Sequence, residues 1–203
     1  VHIRHRKMIF SDTPTQSEDG TYYVRATADD KKKVFVQLNR ITVAEETDFE
    51  LNPASTKKVA AIDAACLSAA FENAEAWFGK PMTEAQLTRA YQGSVDEDGV
   101  LSCDVIPPTK IFDADLEVVG LDGLTAGRTV NAIVEFAGLW FAKKTFGPVW
   151  NVVQVKMHAL PIVDEYPSEY AFGDDDDDEE MQEGDEPQDE GEVTETETVA
   201  DDA

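Results

Sequence analysis

Aromatic and basic side chains recur two residues apart in this chain: Tyr23 with Arg25, Lys33 with Phe35, and Phe141 with Lys143, which Lys144 follows. A fourth segment, PVWNVVQVKM, sets Trp150, Gln154, Lys156 and His158 on one face if Val149, Val153, Val155 and Met157 take the other. A spacing of two is the period of a β-strand, so the members of each pair share a strand face. A ring beside a positive charge suits single-stranded nucleic acid. Bases stack on the ring for roughly 1–3 kcal/mol each, with little regard to sequence, while phosphates meet Lys or Arg. Any one of these rings is equally well explained by packing beneath a helix; it is their recurrence on four segments that points to a binding face.

Other chemistry is poorly represented. The chain has no glycine-rich phosphate loop, GxSxG elbow, HExxH or CxxC motif. His2, His5 and His158 stand beside no Ser, Cys or carboxylate in a catalytic arrangement, and the His2/His5 pair lacks the further ligands a metal requires. Asp96, Glu97 and Asp98 with Gly99 miss the calcium-loop spacing and read as a polar turn. No catalytic residue, metal or cofactor is therefore expected, and the chain reads as a binding protein rather than an enzyme. Cys66 and Cys103, in apolar surroundings and far apart, are expected to be buried free thiols in a reducing compartment. No secretory leader is visible and no apolar run approaches the ~20 residues that cross a bilayer, so a soluble intracellular protein is expected.

Charge is distributed unevenly. Of 42 acidic residues, 17 fall between Asp174 and Ala203, where there is no Lys or Arg; the first 173 residues hold the other 25 against all 17 bases. Residues 1–40 carry a net +3. The acidic run opens with Asp174, Asp175, Asp176, Asp177, Asp178, Glu179 and Glu180. It lacks the apolar side chains needed to offset the entropy of ordering, and a disordered tail over 173–203 is expected after a single domain, 1–172. Tethered near a basic groove, such a polyanion competes with DNA at high effective concentration.

The elements that must position these side chains are mostly strands. TYYVRA (21–26) and KKVFVQLNRITV (32–43) are rich in β-branched and aromatic residues; Val34, Val36 and Leu38 face inward there and Phe35 outward. Shorter strands are expected at 100–106, 109–112 and 116–120. The runs 129–144 and 148–160 form a long hairpin around Thr145-Phe146-Gly147. One helix is clear over 56–78, where Val59, Ile62, Cys66, Ala70, Ala74 and Trp77 make an apolar stripe widened by Leu67, Phe71 and Phe78. Ser55 or Thr56 would cap its start, and Gly79 and Pro81 end it. A second helix begins at Thr83, where Thr-Glu-Ala-Gln fits a capping box. A helical insertion between strands of a small sheet predicts a closed or partly open β-barrel rather than a Rossmann-type fold.

The stretch from Trp140 to Tyr170, centred on KKTFGPVWNVVQVKMHALP, resembles the last hairpin of the phage-type single-stranded DNA-binding proteins. That family is found in short-tailed phages of enteric bacteria and, diverged, in large DNA viruses of algae and protists, to whose members KTFGPVWNVVQV is most similar. The resemblance implies an OB-fold, a five-stranded Greek-key barrel binding single strands across one face. It also implies a homodimer that coats single-stranded DNA during viral replication and recombination. Its acidic tail would recruit replication enzymes such as a DNA polymerase or helicase-primase. Members of the family typically finish the tail with an aromatic residue, whereas the last aromatic here is Phe172. Two other function classes stay open. One is an acidic-tailed chaperone or scaffold that binds basic proteins. The other makes the tail a solvating or regulatory segment, phosphorylated at Thr194 or Thr198. Nothing in the sequence separates DNA from RNA.

Overall fold

The computed structural model describes residues 8–160. The acidic run from Asp174, the expected boundary near residue 172, and His2 and His5 lie outside the described residues. The chain divides into two units, Val1–Pro161 and Ile162–Ala203, and the described residues all belong to the first.

Its elements in chain order are β1 (Met8–Phe10), β2 (Thr15–Gln16), β3 (Tyr22–Ala28), β4 (Val34–Glu45) and β5 (Asp48–Glu50). Three helices follow, α1 (Pro53–Glu72), α2 (Ala74–Phe78) and α3 (Glu84–Ala90). Then come β6 (Val100–Ser102), β7 (Asp104–Phe112), β8 (Val118–Val119), a 3-10 turn at Leu121–Gly123, β9 (Thr129–Phe141) and β10 (Phe146–Met157). The fold is mainly β, an open mixed sheet in the order β6-β5-β4-β9-β10-β7-β8. All pairs are antiparallel except β7 with β10. Strand β9 is the axis: β10 runs along one side, while β4 takes the first half of the other side and β3 the second half.

Helix α1 starts three residues earlier than the sequence suggested. Asn52 is its cap, accepting from the Ser55 amide at 2.9 Å, and Pro53 opens the first turn, where its missing N–H costs nothing. The Asn52 amide also donates to the carbonyls of Asn39 and Arg40 at 2.8 and 3.0 Å. Those contacts tie the helix to the irregularity in β4 between Leu38 and Ile41. The stripe lands as expected: Val59, Ile62, Cys66, Ala70, Ala74 and Trp77 are buried, though Phe71 is exposed. Gly79 ends α2 in the left-handed conformation at φ 71°. The Thr83/Gln86 capping box starts α3. The helices share one core with the inner face of the sheet, where Val36, Leu38, Val130, Val134, Phe136 and Leu139 meet Val59, Ile62 and Trp77. Among the described residues no helix is long and apolar enough to cross a membrane.

Candidate nucleic-acid interface

Of the expected site residues, the face of the sheet turned away from the helices carries Tyr23, Arg25, Phe35 and Lys156, but neither Phe141 nor Trp150. On β3, Val24, Ala26 and Ala28 are buried, so Tyr23, Arg25 and Thr27 point outward, Tyr23 half-buried and Arg25 exposed. On β4, Val36 and Leu38 are buried and Phe35 is 46% exposed. Cross-strand register sets Tyr23 opposite Trp140, Phe35 opposite Glu135, and Glu135 opposite Asn151. Lys156 is exposed opposite Asn131. Lys143 and Lys144 are exposed in the turn between β9 and β10, which the Ala142 amide closes by donating to the Thr145 carbonyl at 2.8 Å.

Trp150 and Phe141 are not on this face. Phe141 is 8% exposed; it stacks on Phe146 at 5.7 Å and meets Trp77 and Phe78 edge-on. Strict alternation from Val130 through Phe136 would turn Phe141 outward. The pairing of β9 with β10 instead steps from Phe136 to Gly138, leaving Ala137 as an extra residue. One extra residue reverses every side chain beyond it. Leu139 and Phe141 therefore enter the core, and Trp140 emerges half-buried on the outer face.

A second irregularity, at Val153 between Val152 and Gln154, does the same on β10. Trp150 and Val152 share the buried face with Val155 and Met157, while Val149 and Val153, expected in the core, are only half-buried. Trp150 is 3% exposed and touches Phe136 at 5.4 Å. Its indole N–H is satisfied inside, donating to Ser94 Oγ at 2.9 Å. Ser94 Oγ and Tyr91 OH both donate to Asp63 Oδ1, at 2.5 and 2.7 Å. This network pins α1 to β10.

Lys33 is present but engaged: its Nζ lies 3.0 Å from both carboxylate oxygens of Glu135, which is 5% exposed in mid-sheet. Among the described residues, the outer face and the β9–β10 turn also carry Arg25, Lys110, Lys143, Lys144 and Lys156, all exposed and outside any salt bridge. Trp140 is the residue that alternation alone missed. The signal was Ala137-Gly138, because an isolated glycine inside a strand pattern marks a bulge or a close backbone approach. Gly138 does both: at φ 142° it has a position where a Cβ would stand 2.0 Å from the Val24 carbonyl oxygen.

The arrangement can stack planar groups on Tyr23, Trp140 and Phe35, and meet phosphates with the exposed cations around them. Residues 35–174 match a family model described as a family of unknown function (DUF5871). No curated protein and no solved structure matches the chain.

Proposed function

The chain belongs to the family of unknown function DUF5871; on the strength of its outer sheet face we propose that it binds single-stranded DNA, without reading sequence, across β3, β4 and β9. The Tyr23–Trp140 cross-strand pair beside Arg25, Lys143 and Lys144 is the observation that carries this reading. Rings and cations share this part of the sheet, and the Lys33–Glu135 pair keeps the centre of the face close to neutral. The mainly β body with helices inserted between strands is also what an OB-type barrel would carry, and we include that fold in the proposal. The acidic run from Asp174 would compete with DNA for the face and, once displaced, engage a replication polymerase or helicase-primase. The setting that fits is coating of single strands, by a homodimer, during viral replication and recombination.

Oligo-dT binding measured by anisotropy tests the site. Tyr23→Ala and Trp140→Ala should each weaken binding by roughly 1–3 kcal/mol, while Trp150→Phe, buried, leaves it unchanged. Duplex DNA of equal length should bind more weakly. If both outer-face variants bind oligo-dT like the parent, the face is wrong. A second reading, a chaperone or scaffold for basic proteins, is favoured by the 17 acids after Gly173. Under it free histones bind and oligo-dT does not.

A further inference from the structure

We propose that the margin of the sheet formed by β7, β8 and the following turn is a docking surface for a basic, apolar segment of a partner protein. This margin adjoins β10, where Lys156 is registered against Phe112, and differs from the proposed DNA face in its excess of carboxylates. A groove of about 490 Å³ lies there, its wall mostly apolar, with Val105, Ile106, Pro107, Val118 and Leu121, and with Lys110 also in the lining. Val118 is 64% exposed, and Val105 and Leu121 are each close to half exposed. Clustered apolar side chains left in water mark interaction sites, because covering them is favourable for any partner of matching shape.

Charge says what covers it. Between Asp104 and Asp122 stand five carboxylates, Asp104, Asp113, Asp115, Glu117 and Asp122, against the single cation Lys110. Among the described residues no Lys or Arg forms an ion pair with any of the five. The five flank the groove's lining segments in sequence and do not line it; carboxylates so placed repel a phosphate backbone and steer Lys- and Arg-bearing chains toward it. Asp113 also shapes the turn by accepting from the Asp115 and Glu117 amides, both at 2.9 Å. Strand addition is not the mode. Pro107 and Pro108 have no N–H to offer, and the Ile106 amide is already donated to Thr109 Oγ1 at 3.0 Å. The partner therefore presents side chains, apolar ones into the groove and basic ones to the carboxylates that flank it in sequence.

The test uses the full chain and a short labelled peptide alternating leucine with lysine, with a leucine/glutamate peptide as control. The lysine peptide should bind and the glutamate peptide should not. Val118→Ser with Leu121→Ser, at exposed positions that leave the core intact, should weaken binding about tenfold. Asp115→Asn, Glu117→Gln and Asp122→Asn together should weaken it by a similar factor at low salt, an effect that fades as salt rises. Three peptide-binding outcomes overturn the proposal: no binding of the lysine peptide, binding unaffected by the Val118/Leu121 change, or equal binding of the glutamate peptide. The second would assign the peptide to the acidic run after Gly173. Self-association of the parent that the Val118/Leu121 change abolishes would give the groove to a second copy, and also overturns it. None of these results depends on whether oligo-dT binds.

Discussion

Burial pushes the Cys66 thiol up to about 12, with the Asp63 carboxylate adding to the rise and a hydrogen bond from Tyr91 opposing it. Burial raises Cys103 as well, helped by Asp48 and Asp104, and raises Tyr91 beside Cys66 and Asp63. A thiol held neutral in the fold binds its proton more tightly there than in the unfolded chain. The stability it contributes is complete below its ordinary value of 9.0 and is lost as pH climbs from there toward 12. Two results are expected. A thiol reagent at pH 8 should label neither cysteine in the native protein and both in denaturant, and chemical stability should fall steadily above pH 9. Rapid native labelling would show that the core around α1 opens readily. At the same scale, the Lys33–Glu135 pair shows why a base next to a ring is not automatically a phosphate ligand: its charge is already committed to a neighbour that sequence spacing does not reveal.

At the scale of elements, the bulge at Ala137-Gly138 decides which aromatic meets solvent. Gly138→Ala would drive a Cβ into the β3 backbone. A loss on the order of 3 kcal/mol is expected in urea unfolding, with β3 released from β9. A variant as stable as the parent would mean that β3 docks differently. The helices were legible in the sequence because their signals are local: a stripe at helical spacing, a capping box at Thr83, and Gly79 where the left-handed conformation is needed. The long strands were legible for the same reason. The faces of β9 and β10 beyond their bulges were not. A one-residue insertion is fixed by how neighbouring strands approach, and those strands are remote in sequence. For this reason Trp140 and Phe141 exchanged roles, and Trp150 moved to the core. The short strands β1, β2 and β5 escaped notice because two or three residues cannot display a period.

At the scale of the whole molecule, charge is partitioned. Exposed cations stand on the outer face and the β9–β10 turn at Arg25, Lys110, Lys143, Lys144 and Lys156, carboxylates crowd the β7–β8 margin, and the largest acidic run follows Gly173. A chain ending at Gly173 should bind oligo-dT more tightly than the full chain, most visibly at low salt, since competition between two polyanions is electrostatic. Equal affinity at every ionic strength would remove the competition from the proposed function. The central position of β9 has a further consequence, for synthesis. β3 and β4 are made roughly a hundred residues before the strand that joins them. Such distant pairing slows folding, because a long loop must close before any ladder bond rewards it. A growing chain therefore carries two strands with open inner edges past the ribosome exit, and they are most exposed to wrong pairing until Phe141 has emerged.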